Sequence, residues 1–168
     1  MINPYFKYKG FLISQHPDIK RYFKKLFDEV KPKRVLEIGT LYGGLTLILR
    51  ELFDGRLRTY DINKNLLCGD IEIITKDVFT DIKEIEKFNP DIILCDGGDK
   101  IKEVNELGHL APIVMAHDYA PDEEYFRDKM FSKRWNWMEI QDSDITLKGY
   151  EPYMTEFKEV AWLCLKRS

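Results

Sequence analysis

The sequence predicts an α/β fold: a doubly wound, mostly parallel seven-stranded sheet with helices on both faces and a C-terminal antiparallel hairpin. Three observations carry the prediction. Short apolar runs alternate with segments of helical periodicity between residues 33 and 118. The runs are continuously apolar, as in strands covered on both faces. A polar residue closes each run or follows shortly after, as along the carboxyl edge of such a sheet.

The elements follow in order. Residues 16–30 (HPDIKRYFKKLFDEV) place Ile19, Phe23, Leu26, Phe27 and Val30 on one helical face. Pro17-Asp18 starts this helix and Lys31-Pro32 ends it. Residues 33–38 (KRVLEI) read as a short buried strand. Residues 43–53 form a helix with Leu45, Ile48, Leu49 and Leu52 at 3–4 spacing, broken by Asp54-Gly55. RLRTYDI and IEIIT are the second and third strands, separated by about nine residues that leave room for a single turn at most. A helix over 80–88 takes Thr80 as N-cap and stops at Asn89-Pro90. DIILCD is the fourth strand, KIKEVNELGHL a helix and PIVMAHD the fifth strand. A helix over 122–134 follows, then two late strands in NWMEIQD and EVAWLCLK. No repeat or linker interrupts the 168 residues, so a single domain is expected.

Composition narrows the function. A net charge of −3, with lysines and arginines interspersed among acids, gives no attraction to nucleic acid or anionic membrane. No apolar run approaches a membrane span, and MINPYFKYKGFLIS does not read as a signal peptide. Cys68, Cys95 and Cys164 are far apart and show no metal-binding spacing. Cys95 and Cys164 lie in apolar runs, so buried thiols and a cytoplasmic location are expected.

The chemistry gathers at the strand ends. Glu37, Asp61, Asp77, Asp96 and the pair His117-Asp118 close or follow five successive strands. In a doubly wound sheet they converge on one edge. Gly39 permits a tight turn after the first strand, and Gly43-Gly44 open a helix whose free N–H groups suit a polar ligand. The pattern is neither G-x-G-x-x-G nor a phosphate-binding loop. Asp61, about twenty residues on, is placed to accept the hydroxyls of a ribose.

In order and spacing, VLEIGTLYGG, YDIN, KDVF, PDIILCDGG and IVMAHDY resemble the class I S-adenosylmethionine-dependent methyltransferases. The resemblance is to the branch of small O-methyltransferases and cephalosporin-hydroxylase-like proteins. It covers residues 10 to 120, including GFLISQHPDI, and is looser beyond. It implies a Rossmann-like methyltransferase domain and S-adenosylmethionine as cofactor. Glu37 and Gly39, with Thr40 and Gly43 in the same turn, would flank the methionine part. Asp61 would hold the ribose, Asp77 and Val78 the adenine, and Asp96 would border the cofactor. It also implies a divalent ion, Mg²⁺, on Asp96, His117 and Asp118, there to lower the pKa of an acceptor hydroxyl.

The match departs from the family after the fourth strand. Asp96-Gly97-Gly98-Asp99-Lys100 has no histidine in the expected place and puts a lysine one position late. Lys100 and His117 are therefore both candidates for the base. The usual P-G-G before the fifth strand is replaced by LAP. The chain is short for a lidded enzyme, so the acceptor site is either open, suiting a small molecule or glycan, or completed by a second subunit in a homo-oligomer. The aromatic stretch around RWNW is either an acceptor wall or core. The expected reaction is O-methylation of a hydroxyl on a small molecule or sugar. One alternative is a nicotinamide-dependent oxidoreductase, disfavoured because Glu37 at the turn would repel a pyrophosphate. Another is a non-catalytic cofactor-binding or scaffold protein of the same fold.

Overall fold

The structure is a computed structural model, and it describes residue 3 and residues 5–63 and 71–168. The chain begins with a hairpin, β1 (Tyr5–Tyr8) and β2 (Phe11–Ser14), paired antiparallel. The sequence reading had no strands here. Lys9 and Gly10 between them have φ of 49° and 86°, the left-handed pair that a two-residue hairpin turn needs. Helix α1 (Ile19–Val30) buries Ile19, Tyr22, Phe23, Leu26 and Phe27. Each such side chain contributes roughly 1.5–3 kcal/mol on burial. Lys31, left-handed at φ 50°, ends the helix by donating its N–H to the Phe27 carbonyl.

The main sheet then builds from β3 (Arg34–Ile38), β4 (Arg56–Asp61), β5 (Ile71–Thr75), β6 (Ile92–Cys95), β7 (Ile113–His117), β8 (Tyr150–Pro152) and β9 (Trp162–Arg167). Their spatial order is β5-β4-β3-β6-β7-β9-β8. The first five are parallel. β9 inserts antiparallel beside β7, and β8 pairs antiparallel with β9. Helices α2 (Gly44–Leu52), α3 (Ile82–Phe88) and α4 (Lys100–Leu107) connect the parallel strands.

Alternation along each strand splits the core in two. Val35, Leu57, Leu94, Met115 and Trp162 pack on one face with α1 and α2. Leu36, Ile38, Ile93, Cys95 and Val114 pack on the other with α3 and α4. The N-terminal hairpin closes over the start of α2. A Cβ on Gly44 would lie 2.1 Å from the Ile13 side chain, so the approach requires glycine.

Three local expectations change. Helix α3 starts at Ile82, because Thr80 closes a 3₁₀ turn (Val78–Thr80) capped by Asp77 instead. Residues 136–142 form no strand beyond a single bridge from Ile140 to Tyr119. The Glu139 and Ile140 N–H groups both donate to the Asp118 carbonyl, exposed to them by a left-handed Asp118 (φ 55°). The hairpin partner of the last strand is Tyr150–Pro152 instead. The helix expected over 122–134 is a turn at Glu123–Tyr125 running into a π-helical turn, Phe126–Met130. Cys95 and Cys164 are buried free thiols; Cys68 and the short segment before β5 lie outside the described residues. Among the described residues no helix is long and apolar enough to cross a membrane.

Candidate active site

The strand order reverses between β3 and β6, where the connections leave for opposite sides of the sheet, and such a point opens a crevice at the carboxyl edge. A cleft of about 680 Å³ lies there. That is within the range of sites that enclose a cofactor-sized molecule. Register brings the strand ends level: Ile38 pairs with Tyr60 and with Cys95, and Cys95 with Ala116. Asp61, Asp96 and His117 therefore arrive side by side.

Of the cofactor candidates from sequence, Gly39, Asp61, Asp77, Val78 and Asp96 line the cleft. Gly39 has φ +92°, and a Cβ there would sit 2.1 Å from the Asp96 carbonyl oxygen. Only glycine lets the first turn press against the β6 turn. The Asp61 carboxylate accepts the Leu41 N–H at 2.9 Å and the Asn63 N–H at 2.8 Å, which fixes it at the end of β4. Asp77 accepts the Phe79 N–H at 3.0 Å.

Glu37, Thr40 and Gly43 are not in the cleft wall. Glu37 shares the α2 face of β3 with Val35, so it points beneath the turn. It is fully buried, and its Oε2 accepts hydroxyl hydrogens from Thr46 (2.6 Å) and Thr59 (2.7 Å). Thr40 joins the same chain through Thr59 at 2.6 Å. Burial raises the Glu37 carboxyl to about 8 against those two hydrogen bonds, which favours its neutral form. Repulsion of a pyrophosphate by Glu37 therefore loses its force as an argument against nicotinamide.

Asp96, His117 and Asp118 converge, with ligand atoms all within 4.8 Å of one another. A divalent ion could use that spacing, but each carboxylate oxygen already faces a protein donor. Asp96 Oδ2 accepts the Gln15 amide at 2.8 Å and Oδ1 lies 3.1 Å from His117 Nδ1. Asp118 Oδ1 accepts the Trp135 indole N–H at 2.6 Å, and Oδ2 lies 3.1 Å from the Lys100 ammonium. The residues as placed do not fit a metal ion unless Lys100 moves.

Burial opposes charge on Lys100, but Asp96, Asp118 and Glu139 outweigh it and raise its pKa above the usual lysine value. It is a held cation and has no lone pair to act as a base. Burial also opposes charge on His117, and Asp96 and Asp118 overcome it, raising its pKa. The imidazole lies between Trp162 (centroids 5.0 Å, stacked) and Trp135 (4.9 Å), and its Nε2 is buried with no hydrogen-bond partner among the described residues.

Sequence reasoning missed several contributors. Gln15 bridges Asp96 and the Trp162 indole, which donates to its side-chain oxygen at 2.8 Å. Glu103 is buried, lines the cleft and accepts the Gly97 N–H. Burial lifts its carboxyl to about 7 against the backbone donors of Gly97 and Asp99. The aromatic stretch divides: Trp135 is core, while Trp137 is exposed on the cleft wall and meets Tyr5 of the hairpin edge-on at 6.3 Å. Helical spacing could have flagged Glu103, three residues after Lys100. Gln15 had no signal beyond following an apolar run.

Among solved structures, the chain is similar to CmcI in its apo form (TM-score 0.68, 14% identity, 96% of this chain and 76% of that one). It has the methyltransferase fold. A protein from Staphylococcus aureus assigned as a caffeoyl-CoA O-methyltransferase aligns with TM-score 0.64 at 16% identity, over 88% of this chain and 82% of that one. CmcI with Mg and SAM aligns at TM-score 0.61 and 14% identity, over 97% and 76%. No protein-family model and no curated protein sequence matches the chain. At these identities the likeness of the methyltransferase fold is one of architecture.

Proposed function

We propose that the protein is an S-adenosylmethionine-dependent O-methyltransferase acting on a hydroxyl of a small molecule or sugar. One observation carries the reading. A cleft at the switch point is lined by Gly39, Asp61, Asp77, Val78 and Asp96, on a sheet whose last strand inserts antiparallel. Dinucleotide-binding sheets of the classic order 3-2-1-4-5-6 lack that inserted strand. The acids along the wall suit a cationic ligand in the cleft's centre.

S-adenosylmethionine, when bound, supplies the methyl group as a sulfonium substituent. Asp61, held by two backbone N–H groups, keeps lone pairs for the ribose hydroxyls. Asp77 and the buried Val78 border the adenine end. Tyr5 and Trp137 at the mouth give an aromatic wall against which an acceptor can lie. Alignment of acceptor and donor supplies much of the acceleration. Methylation of a neutral hydroxyl leaves a strongly acidic protonated ether. Asp96, lining the cleft and 3.1 Å from His117 Nδ1, is the carboxylate placed to take that proton.

Calorimetric titration with S-adenosylhomocysteine tests the cofactor assignment. Binding is expected in the wild type and lost, by about 100-fold or more, in Asp61→Ala, since a bidentate charged acceptor contributes about 3 kcal/mol. NADH is expected not to bind. Saturable NADH binding, or S-adenosylhomocysteine binding indifferent to Asp61→Ala, overturns the assignment.

A further inference from the structure

We propose that Lys100 is the resident cation of the carboxylate cluster, its ammonium standing where a divalent ion would otherwise sit. The geometry is independent of the methyltransferase reading; only the catalytic consequence rests on it.

The ammonium has three acceptors within hydrogen-bonding distance: Glu139 Oε2 at 2.7 Å, Asp118 Oδ2 at 3.1 Å and the Gly97 carbonyl at 3.2 Å. Asp96 Oδ1 lies behind them at 3.8 Å. Three hydrogens thus meet three acceptors, and the side chain is only 6% exposed. The tether is short of slack because Lys100 is the first residue of α4, pinned by the Asp99 cap on the Lys102 N–H.

The helix itself does not account for a lysine here. A cation in the first turn opposes the helix dipole. The carboxylates account for it: the ammonium sits between Asp118 and Glu139, with Asp96 behind. The remaining donors to the cluster are Gln15, Trp135 and His117 Nδ1, and with the ammonium they leave no unpartnered oxygen on Asp96 or Asp118. Mg²⁺ needs near-octahedral oxygen ligands at about 2.0–2.1 Å. It cannot share these oxygens with a fixed positive charge.

The consequence is a site that works without a metal. A divalent ion can chelate two neighbouring acceptor oxygens at once, whereas an ammonium whose three hydrogens are already placed on protein oxygens offers an acceptor none.

The test is binding of Mn²⁺ alone, followed by the loss of its free-ion paramagnetic resonance signal, on wild type, Lys100→Met, Lys100→Gln and the double variant Lys100→Met/Asp118→Asn. Wild type is expected to show no saturable binding at millimolar Mn²⁺. Either single Lys100 variant is expected to bind at least about 100-fold more tightly, because a like charge a few ångströms away has been removed. The double variant is expected to lose the gain. Lys100→Gln stands in if the methionine variant does not fold. Saturable micromolar binding by wild type overturns the proposal, as does failure of both folded Lys100 variants to gain a site. S-adenosylhomocysteine titration on the same wild-type samples separates the two readings. A protein that binds no S-adenosylhomocysteine yet shows the Mn²⁺ pattern loses the cofactor assignment and keeps the resident lysine.

Discussion

Replacing Glu37 by glutamine should make the stability of the ligand-free protein less sensitive to alkaline pH. Glu37 is fully buried, its Oε2 holds two threonine hydroxyls, and its Oε1 has no partner among the described residues. Burial carries its pKa from an ordinary 4.5 to about 8. A carboxyl whose folded value is raised contributes its full stability below the ordinary value. That contribution declines as pH rises, and the whole of it is gone above about 8. At about 1.4 kcal/mol per pH unit, the ceiling on the loss is near 5 kcal/mol. Roughly 2–3 kcal/mol of this falls between pH 6 and pH 9. Glutamine keeps the shape and an acceptor for Thr46 and Thr59 but cannot ionise. Any cost of burying its amide is the same at every pH. The stability difference, glutamine variant minus wild type, should therefore grow by about 2–3 kcal/mol from pH 6 to pH 9 in urea unfolding. In thermal melts the same difference is about 5–10 °C for a chain of this size. A difference that stays constant across that range would show that Glu37 is not carried neutral, and the account of the turn's support would fail.

The remaining predictions are local. Gly39→Ala should destabilise the fold by about 2 kcal/mol or more and abolish S-adenosylhomocysteine binding, because its Cβ would overlap the Asp96 carbonyl at a φ of +92°. Gly98→Ala, which meets nothing within 4 Å, should melt within a degree or two of wild type. Trp135→Phe removes the indole N–H that Asp118 Oδ1 accepts, and should lower stability by about 1–3 kcal/mol in denaturant unfolding.

Much of the fold was legible because burial on both faces writes a continuous apolar signature into a parallel strand. KRVLEI, RLRTYDI, IEIIT, DIILCD and PIVMAHD all became strands within a residue or two. The N-terminal hairpin escaped notice because four-residue, half-buried strands carry little periodicity. NWMEIQD was misleading for a physical reason: its apolar positions go to different places, Met138 against Trp135 and Ile140 into the sheet core, while its backbone bonds to the Asp118 turn.

Sequence by itself settled the chain's layering and delivered acids to a single edge, since both follow from local pattern and from the period of a strand. It could not say which of those acids face the cleft. Glu37 and Asp61 look alike in one dimension, yet strand alternation and the position of α2 bury the first beneath the turn and leave the second in the cleft wall. Nor could it reveal that Gln15, Trp135, Glu139 and Lys100, drawn from three distant segments, would fill the space among Asp96, His117 and Asp118. Those contacts depend on distances across the folded sheet, which residue spacing along the chain does not encode.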